Sequence, residues 1–252
     1  MMAEMTSIPR FLPTTRQVVV LVPQGSQLIG LIGFIEALDA ANRFRAARGQ
    51  APLYATRIAG LGQTAPSAAG PVLQTIPADT IEQVHTLILG GPPLDGGALT
   101  TALSPDLIVQ ARRLAAKAAR CVSVCAGAFV LGELGLLDGR RCTSHWLVLD
   151  QLQARFPAAR VEDDAIFTED GPVLTSAGAT AGIDLALHLI RQDGGARLAL
   201  DVARVLVVFA QRPGGQSQFG SALRLRSGLD DRMRALVDRI LSEPAADHSV
   251  AA

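Results

Sequence analysis

The stretch SVCAGAF, residues 123–129, joins a short apolar run directly to a segment with helical periodicity. The run at 121–124 predicts a strand, and residues 126–134 predict a helix that begins without a spacer. A turn this tight holds its apical residue, Cys125, in a strained backbone conformation that only small neighbours accommodate. We therefore expect the Cys125 side chain to project above the carboxyl end of a strand.

The flanking sequence alternates between apolar strand-like runs and segments with helical periodicity, and this alternation predicts the fold. Strands are predicted at 17–22, 53–59, 84–89 and 121–124, with an antiparallel hairpin at 165–175 around an acidic turn. Helices are predicted at 31–48, 107–119, 126–134, 147–155, 178–192 and 196–209. This alternation predicts an α/β fold, an open flavodoxin-like parallel sheet sandwiched by helices, with its sites at the carboxyl ends of the strands.

Composition changes sharply at Gln211 and divides the chain. We predict a flexible N-terminus at 1–16, a large α/β domain at 17–210, and a Gly/Gln/Ser-rich linker at 211–228. At 229–252 we predict the start of a further helical domain, with Asp230 as N-cap. Its apolar stripe consists of Met233, Leu236, Val237, Ile240 and Leu241. A lone amphipathic helix has little to bury against, so we expect this domain to be truncated.

Composition and charge exclude several classes of protein. The 252 residues are 49% hydrophobic, which excludes disorder along the whole chain, and three cysteines are too few for a disulfide scaffold. The 23 basic and 23 acidic residues cancel, so no global field attracts nucleic acid or a membrane. No signal peptide or apolar run of ~20 residues is present. We expect a soluble, cytoplasmic protein with no membrane partner.

The thiol of Cys125 carries the sharpest chemical signal and has two interpretations. It is either a reactive or ligand-facing group, or a buried structural thiol like Cys121 and Cys142. The tight strand-to-helix turn at Cys125, called the elbow below, favours the first interpretation for this cysteine alone. A thiol at a helix N-terminus faces the positive end of the helix dipole, so we expect a lowered pKa.

Two further segments are candidates for the same site, the rim of the sheet formed by the carboxyl ends of its strands. His145 would reach it if the next strand lies beside the first, and otherwise is a half-buried histidine bonded to backbone. Trp146 is more often a core residue than a ligand-stacking one. Gly90 and Gly91 end a neighbouring strand and could offer free backbone N–H groups as an oxyanion hole. We find no cofactor motif and no metal-ligand spacing, and we expect neither group.

Three segments in order resemble the ThiJ/PfpI superfamily, which has the class I glutamine amidotransferase-like fold. They run from Ser123 to Trp146, from Thr175 to His188, and from Val207 to Phe219. The last resembles the junction, in AraC-type transcriptional regulators, between an amidotransferase-like sensor domain and a helix-turn-helix DNA-binding domain. The segment 230–252 resembles the start of that second domain, most of which is then absent.

The departures from the family pattern bear on catalysis. Catalytic members carry an acidic residue bonded to the elbow cysteine, and alignment through Gly33–Asn42 puts Ile29 at that position. The isonitrile hydratase branch tends to carry Thr where this chain has Ala126. Glutamine amidotransferases use His-x-Glu, whereas Trp146 and Leu147 follow His145. A nucleophile without its orienting acid loses orders of magnitude in rate.

The resemblance implies a sensor domain that binds a small-molecule effector, forms a homodimer and controls DNA binding through the missing helix-turn-helix domain. The predicted ligand-binding residues are Ile29, Gly90, Gly91, Cys125, Ala126, His145 and Trp146. Residues 212–252 carry six Arg and five acidic residues, so this fragment alone should bind DNA poorly. The alternatives are a hydratase, hydrolase or glyoxalase-like enzyme with Cys125 and His145 as catalytic residues, and a redox sensor acting through Cys125.

Overall fold

A computed structural model describes residues 15–94, 98–99, 103–209, 211–218, 231–243 and 245. The chain divides into two compact units between Gln216 and Ser217. This boundary falls inside the predicted linker 211–228, so residues 211–216 belong to the first unit. Of the predicted flexible segment 1–16, all but residues 15 and 16 lie outside the described residues.

Eleven strands are present among the described residues of the first unit. They are β1 Arg16–Leu21, β2 Tyr54–Gly60, β3 Thr64–Pro66, β4 Val72–Gln74, β5 Ile76–Pro77, β6 Thr86–Leu89, β7 Arg120–Val124, β8 Arg141–Cys142, β9 Arg160–Val161, β10 Phe167–Asp170 and β11 Val173–Ser176. Seven form one sheet in the order β10-β11-β7-β6-β1-β2-β5, parallel except for β10. β3–β4 and β8–β9 form two small ladders. The mostly parallel sheet confirms the predicted fold class.

Helices cover both faces of this sheet. They are α1 Ile29–Ala46, α2 Pro105–Ala115, α3 Gly127–Glu133, α4 Leu149–Arg155, α5 Ala181–Gly194 and α6 Ala196–Val205. α1, α5 and α6 pack on one face, and α2, α3 and α4 on the other. The predicted helix at 196–209 is too long: α6 ends at Val205, and Val207 takes a φ of +53°, which an α-helix does not accommodate.

The continuous apolar run of β1 follows from its central place in the sheet. Val18 and Val20 pack with α1, α5 and α6, whereas Val19 and Leu21 pack with α2, α3 and α4. Successive side chains of a strand point to opposite faces, so a strand covered on both faces needs an unbroken apolar sequence.

The parallel register brings the carboxyl ends of the central strands to one level. Leu21 at the end of β1 pairs with Leu89 at the end of β6, and Leu89 pairs with Ser123 on β7. Val124 pairs in turn with Ser176 at the end of β11. The loops that follow β6, β7 and β11 therefore meet at one edge of the sheet.

The opposite edge is held by a buried ionic cluster around Asp193, near the end of α5. The Arg120 guanidinium donates to Asp193 with an Nη1–Oδ1 distance of 3.2 Å, and the Tyr54 hydroxyl donates to Oδ2 at 2.9 Å. Arg16 Nε lies 3.3 Å from Asp193 Oδ1. Arg16, Tyr54 and Arg120 begin β1, β2 and β7, so one carboxylate ties three strand starts to α5.

The second unit contains α7, Asp231–Ser242. Met233, Leu236 and Ile240 of its predicted apolar stripe are exposed. The predicted N-cap Asp230 and residues 246–252 lie outside the described residues. Of the helices in the described part of the chain, none is both long enough and apolar enough to cross a bilayer.

Replacing Asp193 with Asn should destabilise the fold by about 3–5 kcal/mol, because it leaves the Arg120 charge buried without its partner. Asp39→Asn is the matched control: it removes an exposed carboxylate paired with Arg43 and should cost less than about 1 kcal/mol. Urea denaturation measures both. Equal losses in the two variants would contradict a structural role for the Asp193 cluster.

Candidate functional site at the carboxyl edge of the sheet

Cys125 occupies the predicted elbow. Its φ is +58°, in the left-handed region, between the last residue of β7 and the start of α3. The backbone N–H of Cys125 donates to Ser176 O at 3.1 Å, and its carbonyl accepts from Ser144 Oγ at 2.9 Å. The strained conformation is thus held from β11 on one side and from the loop after β8 on the other.

Glycines allow the neighbouring backbone to approach this elbow closely. A Cβ at Gly127 would lie 2.2 Å from Leu89 O, so α3 can begin against the end of β6 only without a side chain there. A Cβ at Gly178 would lie 2.4 Å from the Cβ of Cys125, and Gly178 itself has a φ of +90°. Gly178 therefore closes the other side of the elbow for two independent reasons.

A small cavity lies beside the thiol. It is lined by Gln27, Ile29, Gly30, Leu31, Gly91, Pro92, Leu94, Val124, Cys125 and Ala179. The space open to the centre of a water molecule is about 10 Å³, which accommodates about one water. Three predicted ligand-binding residues, Ile29, Gly91 and Cys125, meet in this cavity. Ile29 is also 63% exposed, at its outer rim.

The cavity lining carries no charge among the residues that the structure describes. Its polar side chains are the Gln27 amide and the Cys125 thiol, and the rest of the lining is apolar side chains and backbone. The side chain at the family's acidic position, Ile29, is aliphatic. A proton acceptor for the thiol is therefore absent from this described lining.

The expectation of a lowered thiol pKa is wrong. Burial raises the pKa of Cys125 to about 11, and a hydrogen bond with the Ala126 backbone opposes this only partly. Burial likewise raises the pKa of Cys121 to about 11. Because water-excluding walls disfavour the thiolate, the Cys125 thiol is neutral near pH 7.

His145 and Trp146 lie near the elbow but, among the described residues, are not part of the cavity lining. His145 is half-buried, its Nδ1 accepts from Leu147 N–H at 3.4 Å, and burial lowers its pKa. The alternative of a histidine bonded to backbone is the one that this geometry supports. Trp146 is 48% exposed, with its ring 5.9 Å from that of His145, so it does not lie in the core.

The two glycines after β6 differ in role. The N–H of Gly90 donates to Leu21 O at 3.0 Å, so the expectation of a free oxyanion-hole donor is wrong for Gly90. Gly91 lines the cavity, and its carbonyl accepts from the buried Ser26 hydroxyl at 2.8 Å. Ala126 is buried and forms the N-cap of α3 rather than the cavity wall.

Sequence reasoning missed several lining residues. Gln27 and Leu94 follow β1 and β6 in long connections whose path the sequence does not reveal. Ala179, with a φ of +47°, was within reach of prediction because it follows β11, the neighbour of β7 in the sheet. Carboxyl-end positions of adjacent parallel strands share one edge.

The described residues contain no group of three His, Cys, Asp or Glu side chains that could hold a metal ion. The arrangement in the described part of the chain is thus a small, uncharged cavity against a neutral thiol. Such a cavity can hold a small apolar or neutral group, with Gln27 and the backbone as hydrogen-bonding partners.

Comparison of the sequence with known proteins identifies relatives of this chain. The sequence model of the DJ-1/PfpI family matches residues 16–192. An HTH-type transcriptional regulator, CdhR of Pseudomonas aeruginosa, is 34% identical over 199 residues, which cover 75% of this chain and 54% of that protein. This chain therefore spans about half the length of that curated relative.

Two further matches show the range of the relatives. Isonitrile hydratase of Pseudomonas putida is 39% identical over 122 residues, 48% of this chain and 51% of that enzyme. The crystal structure of an AraC family transcriptional regulator from Pseudomonas putida has a TM-score of 0.64 at 24% identity and covers 76% of this chain and 99% of that one. The structural match shows a shared fold.

The alkylation rate of Cys125 should rise about tenfold per pH unit between pH 7 and 10, because the thiolate fraction keeps growing below a pKa of about 11. Mass spectrometry of the peptide carrying Cys125 after iodoacetamide treatment measures this rate. A rate that levels off near pH 7 would contradict the raised pKa and indicate an activated nucleophile.

Gly178→Ala should lower the free energy of unfolding by about 1–3 kcal/mol more than Gly195→Ala, because only the first creates an overlap with Cys125. Gly195 is a matched control, with the same φ of +90° and no atom within 4 Å of a built Cβ. Both variants carry the strain of a side chain at positive φ, about 1–3 kcal/mol. Chemical denaturation compares them, and equal losses would contradict tight packing at the elbow.

Proposed function

This chain belongs to the DJ-1/PfpI family, and we propose that it is the small-molecule-sensing part of an AraC-family transcriptional regulator. The observation that carries the proposal is the 34% identity to an HTH-type transcriptional regulator over 75% of this chain. The regulatory role of the complete protein, its DNA binding through a helix-turn-helix domain and its cytoplasmic location belong to the same proposal.

The effector binds at the cavity beside Cys125. The uncharged lining of Ile29, Leu31, Leu94 and the Gln27 amide favours a small neutral or apolar group at the buried end of the ligand. The enclosed part of the cavity holds about one water, so an effector larger than water either extends past Ile29 at the outer rim or displaces part of the wall. Binding that prefers the displaced arrangement is the differential affinity that any switch requires.

Homodimerisation is part of the proposal as well. AraC-type regulation through paired half-sites suits a two-fold symmetric protein, in which each subunit presents one DNA-binding domain. The sensing units would then set the spacing of the two domains, and the effector would act by changing that spacing.

A cysteine-dependent enzyme is the second candidate. The likeness to isonitrile hydratase and the elbow geometry of Cys125 favour it. The raised thiol pKa, the aliphatic Ile29 and the position of His145 outside the described cavity lining weigh against it. A redox sensor would need a thiolate, and the raised pKa of Cys125 weighs against that as well.

An effector should raise the melting temperature of the purified chain, by linkage worth about 2.7 kcal/mol at 100 times its Kd. We would assay small neutral, anionic and cationic metabolites by thermal shift. The shift should survive Cys125→Ser, because a neutral thiol contributes size and shape rather than chemistry. An enzyme would instead show turnover that Cys125→Ser abolishes.

Ile29→Glu should reduce the effector-induced shift, because it places a charge at the rim of an uncharged cavity. Val109→Glu is the matched control: Val109 is 60% exposed on α2 and is not among the described lining residues. Equal effects of the two substitutions would place the binding site elsewhere, and the absence of any stabilising metabolite together with turnover at Cys125 would overturn the sensing proposal.

A further inference from the structure

The last residues of the first unit, 211–216, are bound to the sheet and are called the exit segment below. Ile166 N–H donates to Gly214 O at 2.8 Å and to Gln216 O at 3.0 Å, and Phe167 N–H donates to Gly214 O at 3.2 Å. A Cβ at Gly214 would lie 2.5 Å from Phe167 O. The exit segment is therefore attached to the start of β10 as closely as backbone allows.

Arg212 anchors the exit segment to a buried carboxylate on α5. The side chain of Asp184 is 4% exposed. Arg212 Nε donates to Asp184 Oδ2 at 3.1 Å, and the Arg212 backbone N–H donates to Oδ1 at 3.3 Å. A carboxylate this deeply buried needs its cation, so separating the pair is costly.

The same guanidinium also contacts the residue next to the wall of the Cys125 cavity. Arg212 Nη2 donates to Thr180 Oγ1 at 3.0 Å. Thr180 directly follows Ala179, which lines the cavity and has a φ of +47°. The cavity wall at Ala179 is therefore linked to the exit segment by one peptide bond, to Thr180, and one hydrogen bond, from Arg212.

Beneath the exit segment lies an open groove of about 380 Å³, lined by Phe167, Leu187 and His188 together with Asp184, Arg191 and residues 211–214. Polar groups bridge its edges: Arg191 donates to the Gln211 side chain, which in turn donates to Ala199 O at 3.3 Å. The exit segment therefore borders an open groove and is held by hydrogen bonds at its edges. Its residues carry few apolar side chains, so the cost of releasing it depends mainly on the Arg212–Asp184 pair.

We infer that Arg212 couples the Cys125 cavity to the exit segment: an occupant that displaces Ala179 moves Thr180, weakens the hold of Arg212 on Asp184 and releases residues 211–216. These residues lead directly into the second unit, which begins at Ser217. The regulatory meaning of this release rests on the proposed function. The coupling itself is a property of the first unit.

The test uses a covalent occupant of known size. Iodoacetamide alkylates Cys125 at pH 9: the S–C bond forms as the C–I bond breaks, iodide leaves, and the thiol proton goes to the buffer. The added group exceeds the space for one water, so we expect it to press on the cavity lining around Cys125, which includes Ala179. Hydrogen exchange of the Ile166 and Phe167 amides, which donate to the exit segment, reports release.

Alkylation should raise this exchange about fivefold, the low end of ordinary coupling between sites. Thr180→Val removes the link between wall and segment but keeps the Arg212–Asp184 pair, so its exchange should not respond. Thr80→Val, an exposed threonine bonded only locally to Pro77 O, is the matched control and should respond like the unmodified sequence. Cys125→Ser treated identically controls for labelling at Cys121 and Cys142.

The reverse measurement tests the same coupling, because coupling between sites is reciprocal. The double variant Asp184→Asn with Arg212→Gln releases the exit segment without leaving a buried charge, and it should alkylate at Cys125 about fivefold faster. An unchanged rate, or an equal exchange response in Thr180→Val and Thr80→Val, would overturn the inference.

Failure of the coupling and failure of the proposed function are distinguishable. A chain that an effector stabilises, but in which alkylation leaves the Ile166 and Phe167 exchange unchanged, keeps the sensing function and loses the coupling. A chain that responds to alkylation, but that no metabolite stabilises, keeps the coupling and loses the sensing function.

Discussion

The backbone of Cys125 is held at a φ of +58°, and the rest of the site is arranged around it. The elbow lets α3 begin directly after β7. Gly127 and Gly178 are needed there, because a Cβ at either position would overlap Leu89 or Cys125. Because β6, β7 and β11 end at one level, the loops that follow them converge on this residue. The cavity is what remains between these loops.

The chemistry of the thiol follows from which electrostatic effect is larger. A helix terminus contributes about 0.3–1 kcal/mol at an exposed site and up to about 2 kcal/mol at a partly buried one, which lowers a pKa by at most about 1.5. Removal of water acts in the opposite direction and raises the pKa of Cys125 to about 11. The elbow is therefore built like that of a nucleophile, yet it presents a neutral thiol to an uncharged cavity.

Helix α5 connects the two edges of the sheet. Near its end, Asp193 binds the starts of β1, β2 and β7, and near its beginning, Asp184 binds Arg212. Both carboxylates are almost fully buried and both are paired with arginine. The first pair fixes three strand starts, whereas the second holds the exit segment beside an open groove.

The sequence by itself determined the local elements. The apolar run of β1, the hairpin of β10 and β11, and the elbow at Cys125 follow from periodicity and residue size within a few positions. It also predicted that Gly91 and Cys125 face one rim, because parallel strands end together, whereas Ile29 was placed there by the family resemblance. Short ladders such as β3–β4 were missed, since three-residue strands leave too little periodicity to detect.

Only the tertiary structure decided the properties that depend on distant residues. The sign of the Cys125 pKa shift, the place of His145 outside the described lining and the attachment of residues 211–216 to α5 all arise from groups far apart along the chain. A Gly-rich segment has the composition of a linker whether or not an arginine within it meets a buried carboxylate. The burial of a side chain and its ion pairing depend on all of its neighbours in space, and these cannot be read from the local sequence pattern.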